Sequence, residues 1–299
     1  MKTNFLERYS QMLGGEIEGF DKLSVGHYIR VNTLRITGRE LVKRLAAKGV
    51  QLEKVDFLKD GFKVLNSEFS LGATPEYLFG YYYMQEAASQ FPVEILKPKK
   101  SDVVLDMTAA PGGKATQIAS YMDNQGVLVC TDNQNNRLIA LKNNLERMGV
   151  SNAVVYKKDA RFVSDLGILF DKVLLDAPCS GNFVADSKWF DNRDLLGVKL
   201  NARFQKELLK EAFNVLKPGG VLVYSTCSLE PEENEMNVNW MLSKFGDRIR
   251  LEEIDGPGSD GLNVVFGVTL NSEVSKSRRF WPHLSGTQGF FVAKFKKMN

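Results

Sequence analysis

The sequence predicts an α/β protein, in which a parallel sheet is covered by helices on both faces and is preceded by a small α+β unit. Two observations support this fold class. From Lys99 onward, segments with strand patterns alternate with segments with helical patterns, which is the order that builds a parallel sheet. Some strand segments are continuous apolar runs such as Val173-Leu174-Leu175, as expected for strands buried on both faces. With 299 residues, 43% of them hydrophobic, the chain can bury a large core in one large domain or two unequal ones.

The charge balance is mildly basic, with a formal net charge of +3 and an isoelectric point near 8.6. Two segments are more basic than the rest. Residues 29–63 hold nine Lys or Arg against four Asp or Glu, and residues 271–299 hold six against one. Such clusters permit an anionic partner such as a nucleic acid, although a solvated surface is an equally good explanation.

Several classes of protein are not expected. The start of the chain lacks the apolar core of a signal peptide, and nowhere do about 18 apolar residues follow one another, so we expect a soluble cytoplasmic protein without membrane contact. The cysteines Cys130, Cys179 and Cys227 form no C-x-x-C pair, and only His27 and His283 are present. Neither structural disulfides nor a metal site is therefore expected. No segment indicates an oligomerisation helix, so we expect a monomer.

Residues 1–75 are predicted to form the small α+β unit. Its elements are an amphipathic helix over Phe5–Leu13 ended by Gly14-Gly15, a strand over Tyr28–Arg35, a helix from Thr37 to about Lys48, and short strands near Leu52–Phe57 and Phe62–Leu65. Alternation along Tyr28–Arg35 places Arg30 and Arg35 outward. We expect a basic face that holds a nucleic-acid backbone, because phosphate contacts position a nucleic acid without recognising its sequence.

An aromatic run, Tyr81-Tyr82-Tyr83, leads into a helix predicted over Glu86–Leu96. Pro92 is expected to kink this helix or to end it early. Stacking on bases is one role for the tyrosines, but packing in the core is the more common one.

Residues 76–299 are predicted to form the larger domain. Its predicted elements are the strand Val103–Met107, helix Lys114–Met122, strand Val127–Thr131, helix Arg137–Met148, strand Ala153–Tyr156, strand Val173–Asp176, helix Asn201–Leu216, strand Val221–Ser225, helix Glu232–Phe245 and strand Phe290–Phe295.

A loop of small residues, Thr108-Ala109-Ala110-Pro111-Gly112-Gly113-Lys114, joins the first strand of this domain to a helix. Such a loop lets a ligand approach the backbone closely. A phosphate-binding P-loop would need glycine at Thr108 and Ser or Thr at Ala115, and the dinucleotide spacing G-x-G-x-x-G is also absent. The pattern therefore favours a nucleoside cofactor without a pyrophosphate.

Acidic residues follow the next two strands, at the edge of the sheet where ligands bind. Asp132 suits ribose hydroxyls and Asp159 suits an adenine amine, with the amino-acid end of the ligand at the helix that begins near Gly112. Adenosylmethionine fits this set. For each acid alone, capping of the following helix is an equally good explanation.

The stretch Leu174-Leu175-Asp176-Ala177-Pro178-Cys179-Ser180-Gly181 is an apolar run that stops on an acid, a rigid proline and a cysteine. Residues 220–228 repeat this arrangement, because an apolar strand there ends on Cys227. Both cysteines are thus predicted at the carboxyl ends of neighbouring strands, where two thiols face one pocket. A cysteine in such a place is otherwise most often a small core residue.

The combination of Thr108–Lys114, Asp176–Gly181 and Ser225–Ser228 resembles the Sun/Fmu-type family of adenosylmethionine-dependent RNA cytosine-C5 methyltransferases. The resemblance covers nearly the whole chain, since it extends to Ile29–Arg35, Gln85–Ser89, Trp281–His283 and Gly289–Ala293. It implies a Rossmann-like class I methyltransferase sheet for residues 76–299 and RNA binding by residues 1–75.

The resemblance also implies a mechanism that needs both cysteines, because carbon 5 of cytosine is too weak a nucleophile to attack a methyl sulfonium unaided. The Cys227 thiolate adds to carbon 6, Asp176 holds the nitrogen edge of the ring, and Cys179 helps to remove the carbon 5 proton so that Cys227 can leave. A free thiol has a pKa of about 8.5, so we expect Lys114 and the cofactor sulfonium to supply an electropositive surrounding for Cys227.

The cofactor-binding positions implied by the resemblance are Thr108, Ala109, Ala110, Pro111, Gly112, Gly113, Lys114, Asp132, Arg137, Asp159 and Asp176. A solvated side chain in the first turn of a helix is another explanation for Arg137. The segment Asn182–Trp189 departs from the small-residue and basic continuation common in the family, which leaves its substrate contacts open.

The implied substrate is RNA, and the small size of the N-terminal unit favours tRNA. The target base must leave any helical stack to reach Cys227, which favours loops and junctions. Ribosomal RNA is the main alternative. Two further alternatives are a noncatalytic RNA-binding assembly factor that keeps the fold, and a DNA cytosine methyltransferase, in which the nucleophile would be Cys179.

Overall fold

A computed structural model describes residues 2–15, 20–23 and 25–299. The α-helices of this part of the chain are α1 (Lys2–Leu13), α2 (Gly38–Ala46), α3 (Pro75–Leu78), α4 (Ala87–Leu96), α5 (Gly113–Tyr121), α6 (Asn135–Met148), α7 (Trp189–Asn192), α8 (Leu195–Val215), α9 (Glu235–Phe245) and α10 (Pro282–Ser285). The strands are β1 (His27–Val31), β2 (Gln51–Lys54), β3 (Gly61–Asn66), β4 (Tyr82–Met84), β5 (Val103–Asp106), β6 (Val127–Asp132), β7 (Ala153–Lys157), β8 (Phe170–Asp176), β9 (Leu216–Thr226), β10 (Ile249–Glu252), β11 (Ser259–Asp260), β12 (Val264–Val265), β13 (Val268–Thr269), β14 (Arg278–Phe280) and β15 (Phe290–Lys297). Short 3-10 helices lie at Phe20–Lys22, Leu71–Ala73, Ala160–Leu166, Gly246–Arg248 and Ser272–Lys276.

The chain divides into two compact units. Residues 26–174 and 215–217 form the parallel-sheet unit, and residues 1–25, 175–214 and 218–299 form the two-cysteine unit. The boundary passes through β8 and β9, so it follows proximity in space rather than order along the chain. The predicted boundary near residue 75 concerns that order and stays a prediction.

The parallel-sheet unit is built on the parallel strands β8, β5, β6 and β7, which lie side by side in that order. The register pairs Asp106, the last residue of β5, with Cys130 of β6 and Leu174 of β8. Val104, Leu105 and their neighbours on the adjoining strands are buried, as the continuous apolar runs predict. The α/β fold class is therefore confirmed.

A second, antiparallel sheet of this unit has the order β2-β3-β1-β4. Ile29 and Val31 of β1 pack with Leu41 and Leu45 of α2 and with Tyr82 of β4 in one apolar cluster. Core packing of the tyrosine run is thus confirmed for Tyr82, which is fully buried. The strand predicted over Tyr28–Arg35 is shorter, because β1 ends at Val31.

Arg30 does not point outward as the alternation in β1 predicts. Its side chain is buried, with its guanidinium donating to the Gly113 carbonyl and to Thr116 Oγ1 of α5. The prediction was wrong because both faces of β1 are covered, and alternation distinguishes faces only when one of them meets water. Arg35, which lies beyond the strand, is exposed.

The two-cysteine unit contains antiparallel strands and an aromatic core. Within it β9 pairs with β15, β15 pairs with β14 and β10, and β14 pairs with β11. The helix predicted over Phe5–Leu13 is confirmed as α1, whose Phe5 and Tyr9 pack into the core with Phe183, Trp189 and Trp281.

Two predictions about helices need correction. The early end expected at Pro92 is wrong, since α4 continues to Leu96, while the alternative of a kink stays a prediction. The helix expected to begin at Asn201 begins at Leu195 instead. The apolar face of this helix includes Val198, which is part of the aromatic cluster, so tertiary packing extends the helix toward its N-terminus.

Three further findings concern sites and segments of special kinds. Within the described ranges, no helix combines the length and apolar character that crossing a bilayer requires. The same residues contain no group of three or more His, Cys, Asp or Glu side chains that could hold a metal ion. All three cysteines are free thiols.

Candidate active site

The loop of small residues lies in the parallel-sheet unit, directly after β5. Gly112 precedes α5 with φ at +110°, a conformation that other residues rarely adopt. A Cβ added there would also lie 3.1 Å from Leu141 Cδ1 of α6. Glycine is therefore needed where the chain turns into α5.

Lys114 is in the first turn of α5 and is half-buried. Its Nζ donates a 3.0 Å hydrogen bond to the Ser89 hydroxyl of α4. This contact places the ammonium group beside the loop. Its predicted influence on Cys227 stays a prediction.

Asp132 and Arg137 act together at the end of β6. Asp132 is buried, and its Oδ1 accepts from the backbone N–H of Gln134 at 3.0 Å. Arg137 lies 3.4 Å from Asp132 Oδ2 and donates to the Ala110 carbonyl at 2.6 Å. Arg137 thus joins the small-residue loop to the acid at the end of β6, which is more than a solvated side chain does.

Asp159 has the capping role that was the alternative to ligand binding. Its Oδ1 accepts from the backbone N–H of Arg161 at 2.9 Å, at the start of the 3-10 helix Ala160–Leu166. The Arg161 guanidinium also donates to Asp159 Oδ2 at 2.7 Å. The hydrogen bond from the Arg161 side chain holds the pKa of Asp159 below its usual value.

The two cysteines meet within the two-cysteine unit. The Ala177 N–H donates to the Ser225 carbonyl at 2.8 Å, so the segments that follow β8 and end β9 lie side by side. As a result, the sulfur atoms of Cys179 and Cys227 lie 3.2 Å apart. Next to them, the Ser225 hydroxyl donates to Asp176 Oδ1 at 2.7 Å, which orients that carboxylate. The structure thus brings together the three residues predicted to act on the base.

The two thiols affect each other's protonation. The hydrogen bond with Cys227, together with burial, raises the pKa of Cys179 well above its usual value. Glu233 adds to this rise through its charge. Cys179 therefore holds its proton more firmly than a free thiol does, and either sulfur can be the donor in the 3.2 Å contact.

A buried polar network holds both cysteine segments. Glu233 accepts from the Ser180 N–H at 3.0 Å and from the Ser180 hydroxyl at 2.7 Å. Asn182 Nδ2 donates to the carbonyl of Cys227 at 2.9 Å. The Gln205 side chain donates to the Pro178 carbonyl at 2.8 Å. These backbone contacts leave the cysteine segments little freedom.

The segment that departs from the family pattern, Asn182–Trp189, belongs to this framework. Asn182 is buried and also donates to the Gly289 carbonyl at 3.1 Å. Trp189 is buried in the aromatic core, and its indole N–H donates to the Ser180 carbonyl at 2.8 Å. Both ends of the segment therefore support the cysteines.

Comparison with known proteins agrees with this geometry. The sequence profile of 16S rRNA methyltransferase RsmB/F matches residues 93–296. The chain belongs to the RsmB/F methyltransferase family. The profile of the N-terminal domain of 16S rRNA methyltransferase RsmF matches residues 1–87. The resemblance to Sun/Fmu-type cytosine-C5 methyltransferases is thereby confirmed.

Relatives of this RsmB/F chain include proteins named for different RNAs. The mouse 28S rRNA (cytosine-C(5))-methyltransferase is 40% identical over 278 residues, which are 91% of this chain and 35% of that protein. Ribosomal RNA small subunit methyltransferase F of Vibrio parahaemolyticus is 39% identical over 98% of this chain and 62% of that protein. The tRNA (cytosine(49)-C(5))-methyltransferase of Pyrococcus abyssi is 38% identical over 90% of this chain and 87% of that protein. The chain thus spans about a third of the mammalian relatives and most of the archaeal one.

Solved structures confirm the Rossmann-like methyltransferase fold of this RsmB/F chain. A methyltransferase homologue from Pyrococcus horikoshii has a TM-score of 0.89 and 40% identity, covering 98% of this chain and 94% of that one. NSun6 from the same organism, solved with SFG, has a TM-score of 0.86 and 30% identity, covering 98% and 97%.

Sequence reasoning missed most of the supporting residues of this RsmB/F site. Glu233 and Asn234 lie in the run Glu230-Pro231-Glu232-Glu233-Asn234-Glu235, six and seven residues beyond Cys227. Such a run looks like the solvated start of a helix, yet most of it is buried. Its closeness in sequence to the cysteine was the available signal. Gln205 and Arg30 lie far from their partners in sequence, so no sequence signal indicated their roles.

Proposed function

We propose that this chain transfers a methyl group from adenosylmethionine to carbon 5 of a cytosine in RNA. The observation that carries the proposal is the 3.2 Å separation between the sulfur atoms of Cys179 and Cys227, beside Asp176. A cysteine that only fills the core, or that acts only as a nucleophile, needs no second thiol beside it. Two thiols in contact suit a reaction in which one forms a covalent bond and the other moves a proton.

The residues of the parallel-sheet unit fit adenosylmethionine. The Asp132 carboxylate has about four lone-pair positions, accepts a hydrogen bond from one backbone N–H and forms an ion pair with the Arg137 guanidinium at 3.4 Å, so it can still accept from ribose hydroxyls. The N-terminal turn of α5, preceded by Gly112, suits the carboxylate end of the cofactor. We propose that Thr108–Lys114, Asp132, Arg137 and Asp159 hold it, with Asp176 at the methyl-donor end. The relative solved with SFG, an adenosylmethionine analogue, supports this.

When bound, the cofactor supplies an electrophilic methyl group. The protein must make carbon 5 nucleophilic, which we assign to Cys227. Its thiolate forms a bond to carbon 6, and the electron pair of the 5,6 double bond moves toward carbon 5. Asp176, oriented by Ser225, holds the nitrogen edge of the ring while charge develops there.

Cys179 completes the reaction by removing the carbon 5 proton. In the free protein its pKa is raised, chiefly by the hydrogen bond with Cys227, and it keeps its proton. Once Cys227 becomes a thioether, that partner no longer carries a negative charge, so the pKa of Cys179 falls. Cys179 then releases its own proton to solvent and its thiolate takes the carbon 5 proton, so that the double bond re-forms and Cys227 leaves as a thiolate.

We propose tRNA as the substrate. The support is the Pyrococcus abyssi relative, which is named for tRNA and is matched over 87% of its length. For residues 1–75 we propose RNA binding, supported by the exposed basic side chains of Arg35, Arg39 and Lys43. We further propose a monomer, and the cytoplasm as its location, since the three free cysteines suit a reducing compartment.

Ribosomal RNA is the second candidate, because a specific observation favours it. Both matching profiles are named for 16S rRNA methyltransferases, and one of them covers residues 1–87. The relatives named for rRNA are longer than this chain, however, and it spans 35% of the mouse protein and 62% of the Vibrio protein.

The decisive experiment incubates the Cys179→Ala variant with adenosylmethionine and total cellular RNA, and looks for a protein–RNA adduct that resists denaturant. We expect an adduct that disappears when Cys227 is also replaced, and sequencing of the bound RNA should identify a cytosine in tRNA. Adducts on ribosomal RNA alone would reject tRNA. No adduct with an active wild-type enzyme would reject the assignment of Cys179.

A further inference from the structure

We infer that Glu233 and Asn182 are positioning residues, each holding one catalytic cysteine from the segment that carries the other. This role rests on the proposed function, because it concerns the groups that set the distance between the Cys179 and Cys227 sulfur atoms. We call residues 177–182 the Cys179 loop and residues 226–234 the Cys227 loop. Neither Glu233 nor Asn182 contacts the reacting atoms in the proposed mechanism.

Glu233 belongs to the Cys227 loop but holds the Cys179 loop. Its two carboxylate oxygens accept from the Ser180 N–H at 3.0 and 3.3 Å, and Oε2 accepts from the Ser180 hydroxyl at 2.7 Å. That N–H belongs to the peptide bond that directly follows Cys179. Because Glu233 and Ser180 are both buried, water cannot replace these hydrogen bonds at low cost.

Asn182 belongs to the Cys179 loop but holds the Cys227 loop. Its Nδ2 donates at 2.9 Å to the carbonyl of Cys227 itself. Its Oδ1 accepts from the backbone N–H of Val184 at 3.1 Å, which fixes the orientation of the amide. An aspartate of the same size would present oxygen to the Cys227 carbonyl and would repel it.

The two contacts together form a reciprocal brace. Asn234 holds one loop alone, since it donates to the Ser228 carbonyl within the Cys227 loop at 2.9 Å. The Ser180 and Ser228 hydroxyls, 3.1 Å apart, also join the two loops and lie beside Glu233. Only a contact between loops can set the distance between the two sulfur atoms. Proton transfer and thiolate attack need that distance to be held closely, since misplacement by about 1 Å can reduce a rate by about a hundredfold.

The brace predicts opposite effects for its two halves. Glu233→Ala should free the Cys179 loop, slow release of the product by about tenfold, and cause the covalent adduct to accumulate although Cys179 is present. Asn182→Asp should displace Cys227 and slow formation of the adduct by about tenfold, which is best measured in the Cys179→Ala background, where release does not interfere. Glu233→Gln keeps an acceptor for the Ser180 N–H and should restore most of the release rate.

Glu235→Gln is the matched control, since Glu235 is as buried as Glu233 and lies two residues further on. Its carboxylate pairs with Arg279 and accepts from the Leu262 N–H, and neither contact joins the Cys179 loop to the Cys227 loop. It should lower the melting temperature without accumulating adduct. If Glu233→Ala and Asn182→Asp behave like this control, the residues are merely structural and the inference is wrong. If the wild type transfers no methyl group to any RNA and Cys179→Ala forms no adduct, the proposed function fails instead.

A readout without RNA tests the brace separately. In the free protein, the diazene oxidant diamide should take one hydrogen from each thiol and join Cys179 to Cys227, while it is itself reduced to the hydrazine. Either variant should slow this disulfide formation, and Glu235→Gln should not. Unchanged rates in both variants, measured by mass spectrometry, would overturn the inference even if turnover is reduced.

Discussion

The sulfur atom of Cys179 lies 3.2 Å from that of Cys227, although the two residues are 48 positions apart in the chain. Contact between two half-buried thiols links their protonation states. When one thiol loses its proton, the other thiol holds its own proton more firmly. This arrangement is needed when a nucleophile and a proton acceptor must act in turn.

Replacement of the nucleophile should abolish turnover without affecting the cofactor. In Cys227→Ser the weaker nucleophile cannot add to carbon 6, so we expect no methyl transfer in assays with tritiated adenosylmethionine. Binding of the cofactor, measured by calorimetry, should be unchanged. Cys130→Ser is the control, because Cys130 is a buried thiol outside the pair and should retain activity. Normal turnover by Cys227→Ser would reject the assignment.

Removal of Cys227 should lower the pKa of Cys179. The hydrogen bond with Cys227 is the first cause of the raised pKa, and burial is the second. In Cys227→Ala, the pH midpoint for alkylation of Cys179 by iodoacetamide should therefore shift to lower pH than in the wild type. A midpoint that stays in place or rises would show that burial alone controls this thiol.

Arg30 should influence cofactor binding from beneath the loop. Its guanidinium donates to the Gly113 carbonyl at 2.7 Å and to Thr116 Oγ1 at 2.8 Å, at the start of α5. Arg30→Lys keeps the charge but cannot reproduce both contacts, so we expect affinity for adenosylmethionine to fall by about tenfold. Arg35→Lys, at an exposed position, is the control and should bind normally. Equal affinities in the two variants would contradict this role.

The two acids at the ends of β6 and β7 should differ in their importance. Asp159 is engaged by Arg161 through both its backbone and its side chain, whereas Asp132 keeps acceptor capacity. We expect Asp132→Asn to weaken cofactor binding by at least about tenfold, and Asp159→Asn to weaken it by less. Titration calorimetry gives both constants. A larger loss for Asp159→Asn would reverse the assignment.

Glu230 should make stability depend on pH. Burial raises the pKa of Glu230 to about 7, and the charge of Glu232, which shares the Arg8 guanidinium, adds to this rise. Both carboxylates stabilise the charged form of Arg8, and the pKa of Arg8 is raised. A single guanidinium offsets only part of the negative charge of the two carboxylates. The contribution to stability of a carboxyl group whose pKa is raised by folding is fully present at pH values below its pKa in the unfolded chain, near 4.5. That contribution is lost as the pH rises through the pKa of the folded protein, about 7.

The free energy of unfolding of the wild type should therefore fall by about 3 kcal/mol between these pH values, relative to Glu230→Gln, which does not titrate. Urea unfolding at several pH values measures the difference. Parallel profiles for the two proteins would show that Glu230 stays ionised throughout.

Local patterns were enough for much of the fold. Continuous apolar runs predicted the parallel strands β5, β6 and β8, because strands buried on both faces need apolar residues throughout. Amphipathic periodicity predicted the helix α1, and a run of small residues predicted the loop before α5. The motifs that end on Cys179 and Cys227 also identified the family, since their residue types and spacing are recognisable without coordinates.

Only the tertiary structure decided which side chains support the site. Arg30 was expected outside and is buried, and the acidic run around Glu233, to which the sequence assigned no role at the site, is also buried. The sequence by itself determined the residues that could do the chemistry, because those types occur at recognisable positions. Their distance and orientation depend on partners such as Asn182 and Glu233, which reach across from another segment, and a contact between distant segments leaves no periodic pattern in the chain.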